Sequence, residues 1–175
     1  VRYWSAWPVA GEAPAGVERA GTPEAADFAL TLTPEGGALH LVPPIGVLGV
    51  GCRRGTTAER LEEAFSAFCA SSGLSPAAVS AAASIDLKKE EPGLAQFCEA
   101  HGWPITFYSA DQLRAVPGQF TPSAFVAGVT GVDNVCERAA AKASGGALLL
   151  PKTAGGGVTL ALAVRPFAPD WRTEQ

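Results

Sequence analysis

A chain of 175 residues and 17.9 kDa has room for one ordinary domain with a short appendage, and two full domains are not expected. Hydrophobic residues make up 47% and charged residues 17%, with a mean hydropathy of +0.17, which excludes a disordered chain and predicts a packed core. The net charge of −4, from 13 basic and 17 acidic residues, together with the scatter of the basic ones, excludes the electrostatic footprint of a nucleic-acid binder.

Residues 1–44 differ in texture from the rest, holding Trp4 and Trp7 among prolines and glycines. Strand-like stretches at 28–33 and 38–42 flank Pro34-Glu35-Gly36-Gly37, which favours a turn, so 28–42 is expected to form a hairpin within a partial segment or linker. Pro43-Pro44 ends that segment, and residues 45–175 read as the regular domain. The apolar run 45–50 has the character of a buried parallel strand. Thr56 with Glu59 makes a capping box, Leu61, Ala64, Phe65, Phe68 and Cys69 recur at helical spacing, and Gly73 closes that helix. After a turn at Ser75-Pro76, residues 79–85 read as a second strand despite their alanines. Pro92 opens a helix that carries Leu94, Phe97, Cys98 and His101 on one face and ends at Gly102. Residues 105–108 are a third strand, Ser109 with Gln112 makes another capping box, and Thr121-Pro122 caps a further short helix. Asp133 is expected to start a helix running to residue 143. Two strands, 147–150 and 158–164, joined at Gly155-Gly156-Gly157, predict an antiparallel final pair on an otherwise parallel sheet. The sum is an α/β fold: a three-layer α/β/α domain with a mostly parallel mixed sheet and a C-terminal antiparallel strand pair. Residues 165–175 are expected to be an irregular end.

Twenty glycines and fourteen prolines without a triplet period exclude collagen, and the longest apolar runs fall far short of the roughly 18 residues of a membrane span. A soluble, cytoplasmic protein is expected. The four cysteines form no CxxC pair, which removes a zinc ribbon or thioredoxin motif, and Cys69 and Cys98 on apolar helical faces read as small buried hydrophobes. His40 and His101 lie in different elements, so no metal site is expected, and no Ser–His–Asp or Cys–His set assembles. The absence of methionine points to a processed chain or a piece of a longer one.

Three stretches carry chemistry. Gly49-Val50-Gly51-Cys52-Arg53-Arg54-Gly55-Thr56 leaves a strand and enters a helix; its glycines, helix-start amides and paired arginines suit a polyanion, or else form a tight turn with surface arginines. It lacks the ending of a phosphate-binding Walker loop, and Arg54 stands where a dinucleotide fingerprint would have its third glycine. Ser84-Ile85-Asp86-Leu87-Lys88 lies at the carboxyl end of the second strand, where open parallel sheets bind ligands. Asp86 suits a general base and Lys88 a stabiliser of developing negative charge; a surface ion pair or an N-cap is the plainer reading. Glu90 and Glu91 read as first-turn helix charges. Thr130-Gly131-Val132-Asp133-Asn134-Val135-Cys136-Glu137 is a turn feeding a helix start and, with Lys152 after a later strand, offers an anion site or simple capping.

Taken in order, the arginine loop, Ser84-Ile85-Asp86-Leu87-Lys88 with Glu91-Pro92-Gly93-Leu94, Phe107-Tyr108-Ser109, Thr130-Gly131-Val132 with Val135-Cys136-Glu137, and Lys152 before Val158-Thr159-Leu160-Ala161 resemble the C-terminal domain of the CbiG/CobE family of cobalamin biosynthesis. The resemblance runs from about residue 45 to 164. Residues 1–44, ending in Leu39-His40-Leu41-Val42-Pro43-Pro44, are similar to the middle region of full CbiG proteins, whose N-terminal domain does not occur in this sequence. The resemblance implies a cobalt-precorrin-5A hydrolase that opens a ring lactone with water and releases acetaldehyde, or a non-catalytic precorrin-binding or partner-interaction domain like CobE. It implies a tetrapyrrole substrate that brings its own cobalt, with no protein cofactor or metal site, and as partners the N-terminal CbiG domain or other corrin-pathway enzymes. Acetate and propionate groups on the ring then fit a cradle of Gly51, Cys52, Arg53, Arg54, Gly55, Thr56, Thr130, Gly131 and Lys152, with Asp86 as base and Lys88 as electrostatic stabiliser. A Cys52 nucleophile is the less favoured alternative, its arginine neighbours making it equally a bystander. A nucleotide-binding domain needs an earlier ribose-binding acid than Asp86.

Overall fold

The computed structural model describes residues 1–121 and 131–172. Its main sheet has five strands: β5 (Gly46–Cys52), β6 (Val79–Ile85), β7 (Ile105–Tyr108), β8 (Ala147–Gly155) and β9 (Val158–Val164). The spatial order is β7-β6-β5-β9-β8. Strands β7, β6 and β5 run parallel, whereas β9 is antiparallel to both β5 and β8. The mixed three-layer α/β/α fold expected from the sequence is therefore the fold observed.

Two apolar layers explain it. Helices α1 (Ala58–Ser72) and α2 (Pro92–His101) lay Leu61, Phe65, Phe68, Leu94 and Phe97 over Leu48, Val50, Leu160 and Leu162. On the other face, α3 (Ala110–Arg114) and α4 (Val135–Ser144) bring Leu113, Val135 and Ala139 against Val47, Ala81, Ala83 and Ile85. The alanines of β6 make a thin strand on which these helices sit close, which is why so small-sided a stretch is central. The closest approach is at Gly49, where a Cβ would overlap the carbonyl of Cys136 on α4. Gly49→Ala is expected to cost about 1–3 kcal/mol by forcing α4 off the sheet, read as a lower midpoint in urea unfolding.

Local ends shift by a residue or two from the sequence reading. Thr57, not Thr56, caps α1: its side chain accepts from the Arg60 amide, so the Thr56–Glu59 box is replaced by a single cap. Asn134, not Asp133, caps α4, holding a left-handed φ of 50° that its short amide tolerates, while Asp133 pairs with Arg138. The Ser109–Gln112 box forms as expected. Strand β8 runs on to Gly155, and Gly156 (φ 58°) with Gly157 (φ 82°) makes the two-residue turn whose twist matches the strands it joins. The helix expected after Thr121-Pro122 falls outside the described residues.

The N-terminal segment departs most from expectation. Strands β1 (Arg2–Ser5), β2 (Glu18–Arg19), β3 (Phe28–Leu30) and β4 (Leu39–Leu41) form a second sheet in the order β2-β1-β3-β4, and every pair is parallel. The expected 28–42 hairpin is therefore a parallel crossover, with Phe28 opposite Leu39 and Leu30 opposite Leu41. The cause lies just after β3. Leu32 is buried in the core of the main domain and its carbonyl accepts from Ser75 N at 2.8 Å, so the chain is drawn away before it reaches the turn. Nor is the tail wholly irregular. Asp170 bridges Ala10, Phe167 meets Trp7 edge-on at 5.0 Å, and Trp171 meets Tyr3 at 4.9 Å, pinning the tail to the N-terminal segment. Among the described residues no helix is long and apolar enough to cross a membrane.

Candidate functional site

The carboxyl ends of β5 and β6 and the β8–β9 turn share one edge of the main sheet, because β9 runs antiparallel to β5. The arginine loop leaves β5 there. Its early glycines serve packing: Gly49 admits α4, and a Cβ on Gly51 would overlap the Thr159 hydroxyl. Several loop amides are already engaged. Arg53 N donates to Gly157 O at 3.0 Å, Thr56 N to Arg53 O at 3.2 Å, and Gly55 N, at a left-handed φ of 75°, to Glu91 Oε2 at 2.9 Å. The guanidinium groups of Arg53 and Arg54 are exposed and form no ion pair with another described residue. Arg60, which the sequence reading passed over, lies across the β8–β9 turn with Nη2 3.2 Å from Gly155 O.

Asp86 and Lys88 fall in a single 3-10 turn directly after β6. They do not pair with each other. Asp86 is exposed and its carboxylate has no hydrogen bond or ion pair with a described residue, while Lys88 Nζ faces Glu91 Oε1 at 3.9 Å. Neither of the plainer readings, a mutual ion pair or an N-cap by Asp86, is what this turn contains, since its cap position is Ile85. Cys52 lies half-buried beside Lys88 and Glu91. Burial pushes its thiol up, Lys88 pulls it down, Glu91 pushes it up again and a bond with Thr56 lowers it, leaving a net rise and a protonated thiol at neutral pH. That favours the bystander over the nucleophile.

The start of α4 is organised around Glu137, 1% exposed. Its Oε1 accepts from Thr121 N at 2.9 Å, and its Oε2 accepts from Thr121 Oγ1 at 2.9 Å and from Lys152 N at 2.7 Å. Asn134 adds a bond from its Nδ2 to Thr121 O at 2.8 Å. Burial raises the Glu137 carboxyl, but the bonds from Thr121, Lys152 and Asn134 outweigh it and hold the group below the ordinary range. Lys152 thus has its backbone fixed by Glu137, and its half-buried side chain makes no ion pair with a described residue. Gly131 has a φ of 74° and its carbonyl accepts from Arg114 Nη1 at 2.7 Å. Thr130 lies outside the described residues.

From the sequence, Glu91 reads as a first-turn helix charge, and Glu137 closes the third stretch without a role of its own. The only available signal was a carboxylate in a setting of buried positions, Gly93-Leu94 after Glu91 and Val135-Cys136 before Glu137. A depression of about 630 Å³ lies elsewhere, between α1 and α2, and its lining includes Glu59, Glu62, Glu63 and Phe97. Its charge opposes a polyanion, whereas the strand-end edge presents Arg53 and Arg54.

Residues 46–163 match the family model described as cobalamin synthesis G C-terminus. The cobalt-precorrin-5A hydrolase of Priestia megaterium is 36% identical over 134 residues, which are 76% of this chain and 35% of that protein. Protein CobE of a Sinorhizobium species is 33% identical over 120 residues, covering 67% of this chain and 78% of CobE. A solved structure of CobE, a protein from the cobalamin (vitamin B12) biosynthetic pathway, superposes with a TM-score of 0.63 at 35% identity, covering 70% of this chain and 92% of that one. The chain spans about a third of the length of the hydrolases it matches. With the family model covering well over half of it, and CobE matched over most of its own length, the chain belongs to the CbiG/CobE family of cobalamin biosynthesis through that family's C-terminal domain.

Proposed function

We propose that this chain handles the corrin ring as the C-terminal part of a cobalt-precorrin-5A hydrolase, which opens the ring lactone with water and releases acetaldehyde. The observation that carries the reading is the edge itself: Arg53 and Arg54 share one end of the sheet with Asp86, and none of the three forms an ion pair with a described residue. Guanidinium groups grip the ring's carboxylates in a bidentate fork, and Lys152 and the exposed Gly131 extend the grip. Asp86 takes a proton from water as it attacks the lactone carbonyl, and Lys88 stabilises the tetrahedral oxyanion. The engaged amides of Arg53, Gly55 and Thr56 shape the loop, so the charge on the oxyanion falls chiefly to Lys88. Loss of acetaldehyde then breaks the carbon–carbon bond to the ring: the freed hydroxyl gives its proton to a base, and the conjugated ring takes the electron pair. Cobalt enters and leaves within the substrate, the compartment is the cytoplasm, and the partner is the rest of a CbiG protein or another corrin-pathway enzyme.

A second reading is a CobE-like domain that holds precorrin without turning it over, and the similarity to CobE, 33% over 120 residues, supports it. Mixing this chain alone with cobalt-precorrin-5A separates the two. Acetaldehyde release with a change in ring absorption supports hydrolysis within the chain, binding without release supports the holding domain, and neither event removes both readings. In the same titration Arg53→Ala with Arg54→Ala is expected to weaken binding about tenfold or more, and added salt should shrink the difference.

A further inference from the structure

We infer that Glu91 is a positioning residue that ties the arginine loop to Lys88 and thereby sets the carboxylate-gripping cations relative to Asp86; the inference rests on the site proposed above. Glu91 stands at the N-cap of α2, a place where a short polar side chain ordinarily bonds its own helix. Its carboxylate makes no such cap bond. Instead, 9% exposed as a residue, it sends its two oxygens to two other segments: Oε2 accepts the Gly55 amide at 2.9 Å and Oε1 faces Lys88 Nζ at 3.9 Å. The first turn of α2 adds a second contact with the loop, since Gly93 fits against the Thr56 carbonyl with no room for a Cβ. Helix, arginine loop and lysine turn therefore meet at one carboxylate. The separation from Lys88 is at the long end for an ion pair, which leaves the ammonium donors to spare for a ligand carboxylate or an oxyanion.

Cys52 reports on this arrangement without any ligand. Among the four cysteines it alone is partly exposed, and it senses the opposed charges of Lys88 and Glu91. The experiment compares the wild-type chain with Glu91→Gln and Glu91→Ala by the pH–rate profile of Cys52 alkylation with iodoacetamide, and by absorption titration with cobalt-precorrin-5A. Glu91→Gln keeps an oxygen for the Gly55 amide but loses the negative charge, so Cys52 should react several-fold faster at a fixed pH below its midpoint, with ring binding largely retained. Glu91→Ala releases the loop and should weaken ring binding about tenfold. A Cys52 profile unchanged in Glu91→Gln, or ring binding unchanged in Glu91→Ala, overturns the role. Should the alanine variant fail to fold, the glutamine profile still decides. If the wild-type chain does not bind the ring at all, the functional reading fails while the Cys52 profile continues to judge the tie.

Discussion

Glu137→Gln is expected to destabilise the protein by about 3 kcal/mol at neutral pH, although the side chain keeps its volume. Among the described residues three donors converge on the carboxylate, two of them on Oε2. A glutamine offers one oxygen, so its NH2 must face either the Thr121 amide or the pair formed by the Thr121 hydroxyl and the Lys152 amide. A buried donor against a buried donor is the costly case, because neither group finds water. Urea unfolding followed by circular dichroism reads the loss as a lower midpoint with an unchanged slope. The pH dependence gives a second check. The folded carboxyl lies below its ordinary value, so its contribution is fully present above the unfolded value and is lost as pH falls through the folded one. Wild type and Glu137→Gln should therefore differ most near neutrality and converge on acidification. A gap that stays constant down to acid pH would mean that the variant is damaged by packing and not by loss of the charged acceptor.

The layered order of the main domain was legible because burial on both faces leaves a mark on neighbouring residues. The run from Gly46 to Val50 is buried throughout, and the 3.6-residue recurrence of Leu61, Phe65 and Phe68 marks the covering helix. The Ser109–Gln112 box was legible for the same reason: both halves of the interaction lie within one turn. The parallel course of β4 was not, since it depends on Leu32 seating in a core built from residues up to Leu162, far along the chain. The same holds for the site. Arg53, Arg54, Asp86 and Lys88 announce themselves by chemistry and by position at strand ends, but Glu91 and Glu137 look like ordinary helix-start acids. What distinguishes those two is the set of amides that other segments bring to them, from Gly55 in one case and from Thr121 and Lys152 in the other.

Asp86→Asn is expected to lower the rate of acetaldehyde release from cobalt-precorrin-5A by about 100-fold or more, the usual loss when a positioned general base is removed. The substitution isolates chemistry from folding. Asp86 is exposed and its carboxylate bonds no described residue, so unfolding stability should change by less than about 0.5 kcal/mol. Ring binding should hold, because the proposed grip on the substrate's carboxylates comes from Arg53 and Arg54 and not from Asp86. Lys88→Met is the complementary case: it removes the cation nearest the proposed oxyanion, so release should again fall, and the buried Glu91 loses its partner, which adds a measurable drop in stability. Normal turnover in Asp86→Asn would move the base elsewhere and leave the edge as a binding surface only. A rate lost in both variants with ring binding intact would locate the chemistry at the end of β6, one strand away from the arginine loop proposed to hold the ring.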